Sequence, residues 1–267
     1  MKAVLSLFRI RFLNGLQYRT AALAGMATQF VWGGMIVLFY KALAESNPEA
    51  LPMELSALCS YTWLQQAFLA LFNVWAVEKD LLNMVYDGSV GYELCRPMDI
   101  YANWFCRSLS TRVSRTVLRC VPVLIFAFLL PYPYGLTLPE NPATLFAFLI
   151  SAVLGALVVV AFIMLIYISA FYTLNAKGFR GLLVGVADFL TGQLIPIPFF
   201  PESIRKAVEL LPFASMQNAP LRIYIGDITG AAVRQTILLQ LFWLLAMEIG
   251  GKLLIDRALK NVVVQGG

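Results

Sequence analysis

The apolar residues of this 267-residue chain fall in blocks of about twenty, the length a helix needs to cross a hydrocarbon layer roughly 30 Å thick. Six blocks are read, at residues 20–43, 55–77, 116–130, 145–173, 181–200 and 237–254. Arg119 and Pro122 cut into the third. Lipid offers the backbone no hydrogen-bond partner, so spanning segments must bond internally. The expected fold is therefore an all-α membrane protein with six transmembrane helices, forming one domain over residues 1–267. Composition agrees, with 60% hydrophobic and 13% charged residues against about 45–50% and about 25% in soluble domains.

Orientation follows from the twenty Lys and Arg residues. Fifteen fall before the first block, between the second and third, between the fourth and fifth, or after the sixth. Lys41, Arg205, Lys206, Arg222 and Arg234 fall on the other side. The even span count and the charge bias both place the two termini in the cytoplasm, at an inner membrane. The net charge of +5 then describes a cytosolic surface facing lipid, with no nucleic-acid partner implied. Phe8, Arg9, Ile10, Arg11 and Phe12 interrupt any signal-peptide core, so the N-terminus is expected to persist. Cys59, Cys95, Cys106 and Cys120 lack C-x-x-C spacing and lie in or near spans on the reducing side, which argues against a disulfide framework or a zinc site.

Before the first span, Leu5, Phe8, Phe12 and Leu16 recur at helical steps apart from Lys2, Arg9 and Arg11. This pattern suits an interfacial helix over residues 1–19, serving either as an anchor or as a contact for a cytosolic partner. Residues 78–115 form the largest cytoplasmic segment. A helical stretch ends at Tyr86 with a break at Asp87-Gly88, and an interfacial helix carrying Trp104 and Phe105 is expected over residues 100–115. So short a segment is below the size of a self-supporting domain and is suited to docking. The outward loops at residues 44–53 and 131–142 read as connectors. After the fifth block, Pro196, Pro198 and Pro201 preclude an unbroken helix. Residues 194–230 are expected to form a broken or re-entrant outward helical hairpin. Such a break is tolerated at membrane depth only under cover of protein or a wet cavity, which makes this segment a functional candidate.

The absence of histidine removes His-based acid–base catalysis, Ser-His-Asp triads and zinc-protease motifs. No G-x-x-x-x-G-K-[ST] occurs, and Gly250-Gly251-Lys252-Leu253 lacks the magnesium-holding hydroxyl. The chain is expected to be no enzyme, with any ATP hydrolysis on another subunit. Two acids lie within spans. Glu248 precedes Lys252 by one turn and is expected to pair with it, while Asp188 either makes a structural hydrogen bond or lines a path. Gln65, Gln66, Asn73, Thr191 and Gln193 are read chiefly as helix-packing groups. Gly181-x-x-x-Gly185 would permit close helix approach.

Two stretches carry a family resemblance. Gly91-Tyr-Glu-Leu-Cys-Arg-Pro97 resembles an L-x-R-P cytoplasmic segment. The second comprises Gly192-Gln-Leu-Ile-Pro-Ile-Pro-Phe-Phe-Pro201, followed by Leu211-Pro-Phe213, Pro220 and Ile223-Tyr-Ile-Gly226. Together with the layout, they resemble the permease subunits of ABC-2 type ATP-binding-cassette transporters, in particular the small six-span bacterial permeases. The resemblance implies efflux by alternating access, with an ABC ATPase dimer carrying ATP and magnesium and a second permease, identical or paralogous, completing the path. It implies an ATPase-coupling role for Tyr86, Asp87, Gly88, Tyr92, Glu93, Leu94, Arg96 and Pro97. It also implies an outer gate or pathway near Asp188, Gln193, Pro196, Pro198, Phe199, Phe200 and Pro201. The alternatives are an ion- or proton-coupled transporter that uses Asp188, and a non-transporting membrane scaffold.

Overall fold

The computed structural model describes residues 2–173 and 176–260. The extreme termini, and the side chains of Lys2 and Lys177 used in the charge count, lie outside the described residues. Every regular element among the described residues is helical. In chain order they are α1 (Lys2–Gly15), α2 (Arg19–Ser46), α3 (Leu55–Ala67), α4 (Leu69–Phe72), α5 (Lys79–Tyr86), α6 (Val90–Leu94) and α7 (Ile100–Leu129). There follow α8 (Pro142–Ser169), α9 (Ala176–Leu190), α10 (Glu202–Glu209), α11 (Asn218–Tyr224) and α12 (Ala231–Lys260). Short 3-10 turns occur at Pro48–Ala50 and Ile197–Phe199. By length and composition, α2 from Ala22, α8 and α12 are each able to cross a membrane.

The bundle is built around α8. Asn141 caps its first turn by accepting from the Thr144 backbone N–H at 2.8 Å, Pro142 opens it at a position where no amide is missed, and its second half is buried almost all round. α12, α11, α7 and α4 pack on it. α2 shows how one sequence serves protein and lipid at once. Ala22, Met26, Gln29, Gly33, Val37 and Tyr40 recur at steps of three and four and are buried. Leu23, Val31, Trp32, Met35, Leu38 and Phe39 on the opposite side are exposed, as a lipid-facing surface requires. Gly33 lets the Trp63 ring of α3 approach so closely that a Cβ there would sit 2.7 Å from it.

Several expectations need correction. The second apolar block is not one helix: α3 ends at Ala67, α4 adds a single turn, and residues 73–78 are irregular. The third block is not a separate helix, because residues 100–115 and 116–129 form the continuous α7, which runs through Pro122. Trp104 is fully buried there, stacked on Phe171 and edge-on to Tyr167, and so is no interfacial anchor. In the fifth block, α9 stops at Leu190, before the first proline. Leu5 is exposed, while Val4, Leu7, Phe8, Phe12 and Gly15 are half-buried as α1 packs along α7. The Cys106 thiol donates to the Val4 carbonyl at 3.4 Å, and a Cβ on Gly15 would overlap Ser114, so the two helices run parallel. Among the described residues, a Cβ added at Gly181 or Gly185 would meet nothing within 4 Å, so no close helix approach is seen there.

Candidate functional site

The segment read as a docking surface folds into two short helices joined by a turn. Gly88 has φ +78°, a left-handed conformation that glycine accepts without steric cost. Asp87 accepts from the Ser89 backbone N–H at 2.9 Å, and the Ser89 side chain and N–H together hold its carboxyl below the ordinary range. Tyr86, Asp87, Gly88, Tyr92, Leu94, Arg96 and Pro97 are exposed, and Tyr92 is 79% accessible. Glu93 differs. Asn103 donates to one of its carboxylate oxygens at 2.7 Å, and Arg96 lies 3.2 Å from the other. Only 11% of the Glu93 side chain is accessible, so it braces the segment against α7 and leaves Arg96 as the exposed charge.

Below this segment lies a polar hub that sequence reasoning missed. Where α4 ends, Arg112 of α7 is buried and donates to the carbonyls of Leu71 (3.2 Å), Asn73 (2.6 Å) and Ala76 (3.0 Å). These are the acceptors that a continuing helix would have satisfied itself. Asn73 completes the turn, donating to Leu69 and accepting from the Ala76 N–H. Glu78 then accepts from Arg107 at 2.6 Å and from Thr111 at 3.0 Å, and its backbone N–H donates to the Tyr167 hydroxyl of α8 at 2.9 Å. The turn before α5 is thus fastened to both α7 and α8.

At its other face, α3 meets the proline-rich segment. Gln65 donates to the Gln193 carbonyl at 2.9 Å, Tyr61 reaches Asn218 at 3.4 Å, and Ser60 shares a 2.8 Å hydrogen bond with Thr137. Pro196, Pro198 and Phe200 are buried, Phe199 is half-buried and Pro201 is exposed. Phe199 stacks on Tyr40 and Phe200 on Phe189, with centroids 5.7 and 5.2 Å apart. Within this chain Pro196, Pro198, Phe199 and Phe200 therefore make a packed wall.

The chain then turns back inward. Residues 214–217 press against the middle of α8, where a Cβ on Gly155 would lie 2.1 Å from the Met216 carbonyl oxygen. Gln240 of α12 donates to the carbonyls of Ser151 (3.0 Å) and Ser215 (2.8 Å) and accepts from the Ser151 hydroxyl (2.9 Å). α11 leads back towards the start of α8, with Tyr224 edge-on to Phe148 and donating to the Thr137 carbonyl at 3.1 Å. Arg222 joins Glu209 of α10 to Asp227 beyond α11, closing the hairpin.

The two acids within the apolar blocks behave differently from expectation. No described ion pair joins Glu248 to Lys252, and Glu248 lies beside the Tyr101 hydroxyl. Asp188 has a carboxylate oxygen that is buried without a hydrogen-bond partner, while its backbone carbonyl accepts from the Gln193 N–H at 3.2 Å. The structure thus brings Asp188, Gln193 and the proline segment together near α3, apart from the Tyr86–Pro97 group in sequence but linked to it through α3 and the hub. Arg112 carried a sequence signal only as one of several basic residues at helical spacing. Gly155 and Gln240 carried none beyond their residue type.

The sequence matches the family described as ABC-2 family transporter protein over residues 53–266. The chain belongs to that family and is a membrane transport component, not itself catalytic. No individual curated protein matched the sequence significantly.

Proposed function

We propose that this chain is the membrane-spanning permease subunit of an ABC-2 type exporter in a bacterial inner membrane. A second permease completes the path, and a separate ABC ATPase dimer, carrying ATP and magnesium, drives it. In this reading the six apolar blocks cross the membrane with both termini cytoplasmic, the second crossing by a broken helix and the fifth by α9 and the proline segment together. The hairpin of α10 and α11 is re-entrant. Its turn lies against Gly155, halfway along the 28-residue α8, and α11 returns towards the outer end.

The observation that carries the reading is the unbroken physical link between the two candidate sites. Tyr86, Tyr92, Leu94 and Arg96 present an exposed aromatic and basic tip that suits a groove on an ATPase. α5 joins that tip to Glu78, and the hub couples Glu78 to α7, to α8 and to the end of α4. α3 carries the connection on to Gln193 and Asn218. When nucleotide closes the ATPase dimer, movement of the tip displaces the hub, and α3 shifts the proline wall formed by Pro196, Pro198, Phe199, Phe200 and Pro201. A linkage of this kind transmits motion only if its elements have two stable arrangements, and the irregular stretch at residues 73–78 supplies the joint.

Co-expression with the ABC ATPase encoded beside it tests the reading. A stable complex that is weakened by Tyr92→Ala and Arg96→Glu is expected, while recovery of this chain alone from every preparation would reject it. The buried, unpartnered oxygen of Asp188 favours a second reading, ion coupling. That reading requires Asp188→Asn to abolish transport in the absence of any ATPase, whereas the permease reading requires transport to follow the ATPase.

A further inference from the structure

A cleft of about 830 Å³ opens between α1, α7 and α12. Tyr172, just beyond α8, donates to the Leu254 carbonyl of α12 at 2.8 Å, so the cleft lies level with the end of α8. Most of its wall is apolar, contributed by Val4, Leu5 and Phe8 of α1 and by Phe105 and Leu109 of α7. The polar groups sit together on the α12 side. Tyr101 is 4% accessible and crosses over Gly251, where a Cβ would sit 3.0 Å from its hydroxyl. That hydroxyl lies beside the Glu248 carboxylate. Apart from each other, the hydroxyl and the Oε1 of Glu248, both buried, have no hydrogen-bond partner among the described residues. A buried carboxylate oxygen with so little company beside apolar surface is costly. Lys252 follows Glu248 by one turn, about 6 Å along the helix, and lines the same cleft, yet no described ion pair holds either residue. Asp99, the other acid of the lining, is engaged in capping α7 through the Ala102 N–H at 3.0 Å.

We infer that this cleft seats the headgroup of a zwitterionic phospholipid that carries a primary ammonium, with the ammonium on Glu248 and Tyr101 and the phosphate on Lys252. A primary ammonium brings three N–H donors to a carboxylate that lacks them, and the Tyr101 hydroxyl can accept one while donating to Glu248. The phosphate gives Lys252 a charge-assisted acceptor. Two carbons separate the charged groups of such a headgroup, a span on the scale of the single turn between Glu248 and Lys252. With Asp99 and Glu248 against Lys252, the lining carries more negative than positive charge, which disfavours an anionic headgroup. The apolar wall favours a lipid over a dissolved amine. Leu241 and Leu245 continue the face of α12 that carries Glu248 and Lys252 at steps of four and three, and both are exposed. Leu5 of α1 is 72% accessible on the other side. These side chains give acyl chains a seat beside the charged pair. The inference needs only that the chain is embedded in a membrane, and it stands or falls independently of any ATPase.

The test is native mass spectrometry of the delipidated, detergent-purified full chain, titrated separately with phosphatidylethanolamine, phosphatidylcholine and phosphatidylglycerol of matched acyl chains, and with phosphoethanolamine. Choline, being trimethylated, has no N–H to donate, so wild type is expected to retain phosphatidylethanolamine about tenfold better than phosphatidylcholine, and better than phosphatidylglycerol. Glu248→Gln should erase most of the preference over phosphatidylcholine. Lys252→Gln should weaken both of those lipids alike and leave the preference in place. Unfolding temperatures of the variants separate lost binding from lost folding. If a variant is unstable, competition between phosphatidylethanolamine and phosphatidylcholine on wild type decides the question. Equal retention of these two lipids by wild type, stronger retention of phosphatidylglycerol, an intact preference in folded Glu248→Gln, unchanged retention in folded Lys252→Gln, or displacement of the lipid by equimolar phosphoethanolamine would each overturn the inference.

Discussion

Arg112 satisfies three backbone carbonyls with one guanidinium, and its value lies mainly in what happens without it. Polar bonds between helices in a membrane add only about 0.6 kcal/mol each on average, whereas each buried acceptor left unpaired costs about 1–3 kcal/mol. Arg112→Ala is therefore expected to destabilise the purified protein by at least about 2 kcal/mol, read as a lowered unfolding temperature. Lys41→Ala, which removes a pair between exposed side chains 3.9 Å apart, should stay within about 0.5 kcal/mol. An unchanged temperature for Arg112→Ala would remove the hub from the account. Gly155 makes the complementary case, because no side chain fits between α8 and the Met216 carbonyl. Gly155→Val should expel the 214–217 turn and lower the unfolding temperature by about 1–3 kcal/mol equivalent, with Gly34→Val, set in open space, as the control.

At the level of elements, the sequence was most legible where one residue type dictates the backbone. Gly88 marked the break after Tyr86, the prolines at 196, 198 and 201 marked the irregular stretch before α10, and the runs of α2, α8 and α12 gave long apolar helices. It was least legible where tertiary contacts decide. Nothing between residues 55 and 77 is a strong helix breaker, yet the helical run ends with α4 at Phe72, where Asn73 folds the chain back and Arg112 takes up the freed carbonyls. The charges of residues 100–115 set them apart from 116–130 in the sequence. Arg107 and Arg112 instead bond within the hub, so one helix accommodates both stretches. The resemblance implied a coupling role for Glu93, and its bond from Asn103 accounts for its burial. Cys95 offers a direct probe of the docking segment, since it is exposed while Cys59 and Cys106 are buried. An impermeant maleimide should label Cys95 in inside-out vesicles and not in intact cells, and bound ATPase should protect it. Labelling in intact cells would reverse the proposed orientation.

For the whole molecule, the account joins a helical bundle around α8 to two less regular regions, the segment of α5 and α6 and the hairpin of α10 and α11, with α3 between them. Family membership establishes a membrane transport component. The proposed reading adds a route by which a separate ATPase would act on the proline segment and the hairpin. Truncating a central aromatic at an interface often costs about 2 kcal/mol or more, so Tyr92→Ala should weaken ATPase binding roughly tenfold or more without changing the unfolding temperature of the isolated chain. The most direct test is vanadate-sensitive ATP hydrolysis by the detergent-purified assembly of this chain with its ABC ATPase, comparing wild type with Tyr92→Ala and Arg96→Glu. The account predicts an active assembly whose hydrolysis falls in both variants while the chain stays folded. Full activity in both variants, or no ATPase activity associated with the folded wild-type chain, would contradict it.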